Sequence, residues 1–217
     1  MDRRVFFGTL TGATALGAIM LASKREITGP VNVAVVMTEG ATVIDFAGPW
    51  EVFQDVDHSP GFHLYTVGDS TEMIRATAGL QIVPSYTYAT APPPRIVVAG
   101  AQSGRSPELL EWLRRVSKTA DLMMSVCTGA FLYGAAGLLD GLSATTHHDF
   151  YDEFARRFPK VKLVRNRRFV ESERVITAGG LTSGIDCALH VVARYFGDDV
   201  AARTAEYMEY QSTAWRT

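Results

Sequence analysis

Cysteine is almost absent from this sequence: Cys127 and Cys187 are the only two among 217 residues. Two thiols are too few for a disulfide framework or a structural zinc site. An excess of one charge is missing as well. The formal net charge is −2 with 20% charged residues, and no Lys/Arg-dense stripe marks a nucleic-acid face. Internal repeats are also lacking. What is present is a 47% hydrophobic chain of a length that can form one α/β domain with a real core.

The first thirty residues differ from the rest. "MDRRVFFGTLTGATALGAIMLASKRE" has a basic start at Arg3 and Arg4, then an apolar stretch from Val5 to Ala22 lightened by Gly, Thr and Ala. That is the build of an export signal. The paired arginines before Val5, Phe6 and Phe7 look like a twin-arginine signal. Residues 1–28 are therefore expected to be a signal or anchor segment, and 29–217 the folded domain. The expected location is periplasmic or exported, or cytoplasmic should the segment not act as a signal. Contact with a membrane is expected only through a retained anchor.

Beyond Gly29-Pro30, short valine-rich runs alternate with helical spacing. "VNVAVVM", "FHLYTVG", "RIVVAG", "DLMMSV", "LSATT" and "RVITAGG" read as strands, and "LQIVPS" as a short edge piece. "ATVIDFAGPWEVFQDV" reads as a helix with Val43, Phe46, Trp50 and Phe53 on one face and Pro49 in its first turn. "SPELLEWLRRVSK" opens with Ser106 as N-cap and Pro107 at the first helical position. "TGAFLYGAAGLL", "HDFYDEFARRF" and "TSGIDCALHVVARYFG" complete the helices. Strands alternating with helices imply a parallel sheet covered on both faces. Ligands of such sheets sit at the C-terminal strand ends, which gathers Asp45, Gly100-Ala101 and Cys127-Thr128.

Cys127 falls where a strand turns into a helix, in "SVCTGAFLYGAAGLLDG" (125–141), and a thiol there is held out of the sheet like a nucleophile elbow. The positive end of the following helix favours a thiolate and is expected to lower the thiol pKa. The Thr128 N–H and the Gly100-Ala101 corner are the expected oxyanion donors. Cys187 lies on an apolar helix face and reads as core. Asp45 is either the N-cap of its helix or a carboxyl beside the thiol, its pKa raised by burial. His147 and His148 are adjacent and expected to point in different directions, with His147 either lining the pocket or serving a helix start or the surface. Neither has ligand spacing to another His, Cys or acid, so no metal is expected. Thr182, Ser183 and Asp186 read as structural parts of a helix start.

The blocks "IDFAGPWEVF" (44–53), "SVCTGAFLYGAAGLLDG" (125–141), "ATTHH" (144–148) and "ITAGGLTSGIDCALHVV" (176–192) resemble the ThiJ/PfpI superfamily. The resemblance covers nearly everything after residue 30. It implies an α/β, flavodoxin-like parallel-sheet sandwich of the class I glutamine amidotransferase-like type, with a cysteine nucleophile elbow. The branch most similar is that of isonitrile hydratases and the sensor domains of AraC-type regulators. Carried over, Cys127 matches the nucleophile, Asp45 the acid bonded to it, and Thr128 the residue that follows in hydratases. Thr128 stands where PfpI-type proteases have a histidine, which speaks against a protease. Ala99-Gly100-Ala101 stands where the family usually has a Pro-Gly-Gly corner.

The resemblance implies hydration of an isonitrile without a cofactor, a small-molecule substrate and a homodimer. Two other classes compete with that expectation. One is a non-catalytic exported ligand binder. It is expected not to touch nucleic acid, because no helix-turn-helix region follows the domain here. The other is a thiol stress or aldehyde-detoxifying protein, since exposed low-pKa thiols oxidise readily.

Overall fold

The computed structural model describes residues 28–216. Residues 1–27 of the expected signal segment therefore lie outside the described residues. Among those described, no helix is long and apolar enough to cross a membrane. In chain order the elements are β1 (Val31–Val36), α1 (Val43–Gln54), β2 (Phe62–Gly68), β3 (Ile74–Arg75), β4 (Gln81–Ile82), β5 (Tyr86–Thr87) and β6 (Ile96–Ala99). They continue with α2 (Pro107–Val116), β7 (Leu122–Ser125), α3 (Gly129–Ala135), β8 (Ser143–Ala144), α4 (Tyr151–Arg157) and β9 (Lys162–Leu163). The last are β10 (Phe169–Ser172), β11 (Val175–Ala178), α5 (Ser183–Phe196) and α6 (Asp198–Tyr207).

The main sheet has seven strands in the order β10-β11-β7-β6-β1-β2-β5. All neighbours are parallel except β10 with β11, an antiparallel edge pair. Strands β6, β7 and β11 are buried along their whole length, as continuous apolar runs in a doubly covered parallel sheet should be. One core layer lies under α1, α5 and α6, around Val33, Val98, Met124, Leu189 and Trp215. The other lies under α2, α3 and α4, around Val97, Met123, Leu113, Phe131 and Phe154. The expected α/β sandwich is therefore the observed one.

Several local expectations are corrected. Helix α1 starts at Val43, so Pro49 lies inside it rather than in its first turn. Its buried face is Asp45, Gly48, Pro49, Val52 and Phe53, and of the expected stripe only Phe53 is fully buried. The reason is close packing on α5, where Pro49 lies beside Gly184. "LSATT" supplies only the two-residue β8, which pairs with β9 outside the main sheet. Thr145 and Thr146 leave the strand because their N–H and hydroxyl bond to Thr177 Oγ1 (2.8 Å) and to the Cys127 carbonyl (2.9 Å). Helix α3 ends early, with Gly137 at φ +76° just beyond it, the left-handed stop that glycine favours. Ser106 caps α2 as expected, accepting from the Leu109 N–H at 3.1 Å with Pro107 at the first position.

Candidate active site

The four elements that end or begin at the C-terminal edge of β1, β6, β7 and β11 build one site. After β7, the Val126 N–H donates to Ala99 O at 3.0 Å and keeps the chain in register with β6. Cys127 then turns at φ +58°, a left-handed conformation that costs a non-glycine residue about 1–3 kcal/mol. It is held there from two sides: its N–H donates to Gly179 O at 2.8 Å, and its carbonyl accepts from Thr146 Oγ1. The turn demands a glycine two residues on. A Cβ on Gly129 would stand 2.0 Å from Ala99 O.

Asp45 lies in the first turn of α1 with no exposed surface. It is not the cap, since Thr42 holds that position. Its Oδ2 accepts from the Ala101 N–H at 2.9 Å, and Gly100 lets the corner approach so closely that a Cβ there would stand 2.7 Å from Asp45 Cβ. Oδ1 is buried without a partner of full hydrogen-bond geometry. The Cys127 thiol and the Leu181 N–H nevertheless lie near enough to the carboxyl to lower its pKa. Burial outweighs them and raises Asp45 from its ordinary value to about 6.

The expectation of a depressed thiol pKa is corrected. Burial first, and then the neighbouring Asp45 charge, push Cys127 up to about 12. The Thr128 and Leu181 N–H groups reach the sulfur and oppose this, but α3 has only seven residues and Cys127 is 7% exposed. At neutral pH the proton therefore rests on sulfur, with an ionised carboxylate beside it.

The donor assignment changes as well. Thr128 N–H stands at the sulfur, whereas Ala101 N–H, of the expected Gly100-Ala101 pair, is engaged by Asp45. The second donor at the sulfur is Leu181 N–H, at φ +52° in the loop after β11, which sequence reasoning missed. The signal was available: "AGGLTSG" is a glycine corner at the end of a parallel strand, like the other three.

His147 and His148 do not diverge, because their rings stack at 4.4 Å with 24° between planes. His147 is partly buried against Gly180 of the Leu181 loop, and its Nδ1 accepts from the Asp149 N–H at 3.2 Å. Ligand atoms of His147, His148 and Asp149 lie within 4.8 Å of one another, a grouping the spacing argument overlooked, with His148 and Asp149 exposed. Asp186 is fully buried in the first turn of α5 and paired with Arg168 at 2.6 Å. Cys187 is likewise core, its thiol raised well above the ordinary value by burial.

A doubly covered parallel sheet carrying a cysteine on a left-handed elbow, with a buried carboxyl beside it, defines the flavodoxin-like, class I glutamine amidotransferase-like class. The model of the DJ-1/PfpI family matches residues 31–194, and the chain belongs to that family. It is 30% identical over 173 residues to the isonitrile hydratase of Pseudomonas putida, covering 77% of this chain and 73% of that protein. It is 25% identical over 189 residues to the HTH-type transcriptional regulator GbdR of Pseudomonas aeruginosa, covering 84% of this chain. The chain spans about half the length of that regulator (51%). Among solved structures, a ThiJ/PfpI family protein from Pseudomonas syringae matches with TM-score 0.76 and 29% identity, over 93% of this chain and 83% of that one.

Proposed function

We propose that this protein is a cysteine-dependent, cofactor-independent hydratase that converts an isonitrile to an N-substituted formamide. The observation that carries the reading is the fully buried Asp45 carboxyl, raised to about 6, set against the elbow thiol of Cys127. The similarity to the isonitrile hydratase supports the choice of substrate. Above pH 6 the Asp45 carboxylate takes the Cys127 proton as sulfur bonds to the terminal carbon of the isonitrile. Protonated Asp45 then delivers that proton to the same carbon, leaving a thioimidate. Water adds to the thioimidate carbon and gives a proton to nitrogen. The carbon–sulfur bond breaks, the formamide leaves, and the remaining proton returns to sulfur. Thr128 and Leu181 N–H groups stabilise negative charge on sulfur during attack and departure.

A second reading is a ligand-binding domain without turnover. It is favoured by the strongly raised thiol and by the regulator relatives. A panel of isonitriles and 2-oxoaldehydes, given to the full chain and to Cys127→Ala, separates the two. The hydratase reading expects formamide from wild type alone. No product from any isonitrile overturns it and favours the binder, and product from the 2-oxoaldehydes only favours an aldehyde-detoxifying thiol.

A further inference from the structure

The loop between β11 and α5 carries the Leu181 N–H to both Asp45 and Cys127, so whatever fixes this loop fixes the site. One residue grips it on both sides of Leu181. The Arg168 carbonyl accepts from the Gly179 N–H at 2.8 Å, and its Nη2 donates to Thr182 Oγ1 at 3.3 Å. Gly179 in turn accepts from the Cys127 N–H, which ties the same loop to the elbow. The guanidinium is itself anchored, with Nε donating to Asp186 Oδ2 at 2.6 Å. A carboxylate with no exposed surface is costly unless both oxygens are served. The second oxygen, Oδ1, accepts from Ser212 Oγ at 2.8 Å, in the segment that ends with the buried Trp215. A continuous chain of bonds thus runs from Ser212 through Asp186 and Arg168 to the Leu181 loop.

We propose that Arg168 is a positioning residue of the Cys127 site, and that through Asp186 and Ser212 the C-terminal segment sets how firmly the Leu181 N–H is held. An ion pair needed only for stability would not require the guanidinium to reach Thr182. The planar fork lets Arg168 serve Asp186 and Thr182 together, which a lysine ammonium on its flexible stem does not reproduce. The inference rests on the proposed function only in taking Asp45 and Cys127 as the reacting pair. The titratable group that bears on Asp45 is Cys127, while Ala101 and Leu181 bring backbone N–H groups. Loosening the Leu181 N–H removes a contact that lowers the Asp45 pKa, so the carboxyl titrates at higher pH.

The test is alkylation of Cys127 in the full chain by iodoacetamide between pH 5 and 8, read by peptide mass spectrometry so that Cys187 does not interfere. Wild type is expected to show an acid limb with a midpoint near pH 6. Arg168→Lys keeps the charge opposite Asp186, and Thr182→Val removes the other end of the loop contact. Each is expected to move the midpoint up by about half a unit, the scale of one hydrogen bond. The double variant should move it no further, and Ser212→Ala should move it in the same direction. Val161→Ala, a core truncation in the opposite layer, should lower the melting temperature and leave the midpoint in place. Unmoved midpoints in Arg168→Lys and Thr182→Val would reduce Arg168 to a structural ion pair, and an unmoved midpoint in Ser212→Ala alone would remove the C-terminal segment from the proposal. A wild type without any acid limb would instead refute Asp45 as the proton acceptor and the proposed function with it.

Discussion

Asp45 is the residue on which chemistry and stability meet. Its pKa rises from 3.8 unfolded to about 6 folded because burial disfavours the charge. The sign for folding follows from proton counts. The folded state binds the proton more tightly, so this group's contribution is fully present below pH 3.8 and is lost as pH rises through 6. A shift of that size corresponds to about 3 kcal/mol withheld at neutral pH. Asp45→Asn is expected to be more stable than wild type at pH 7.5 by about 1–3 kcal/mol in urea denaturation, and to lose that advantage by pH 4. A variant less stable than wild type at both pH values would contradict the burial account. The same substitution removes the base for the thiol, so formamide formation should fall by at least about 100-fold.

At the scale of elements, the site is made where four strands end, and that much was legible in the sequence. Asp45, Gly100-Ala101 and Cys127 were gathered from strand–helix alternation alone, and the structure brings them into contact. What could not be read was how each corner spends its N–H. Ala101 serves the carboxyl and Leu181 serves the sulfur, because α1 begins at Val43, well before Pro49, and carries Asp45 into the corner. The missed strands β3, β5 and β9 have two residues each, too short for any hydrophobic period to declare them. The thiol pKa was misjudged for a related reason: the helix start is visible in sequence, and the burial that overrides it is not. The elbow also makes a sharp demand on Gly129. Gly129→Ala places a methyl against the Ala99 carbonyl, so the turn must open. We expect a loss of about 2–4 kcal/mol of stability in urea denaturation, with slowed Cys127 alkylation. Unchanged stability and reactivity would mean that α3 does not seat on the sheet as described.

For the whole molecule, two packed layers do the work of holding four loops at one edge, and the family assignment rests on a match across residues 31–194. The chain is similar both to a hydratase and to a transcriptional regulator, so the fold alone does not choose between turnover and binding. The choice lies in whether the carboxylate moves the thiol proton. The rate of formamide formation from an isonitrile, followed by proton NMR from pH 5 to 9 with the full chain, measures this directly, with Cys127→Ala as the blank. Wild type is expected to give product with an acid limb centred near pH 6, Asp45→Asn a residual activity without that limb, and the blank none of the product. Formamide that survives Cys127→Ala, or a wild-type rate flat across pH 6, would contradict this.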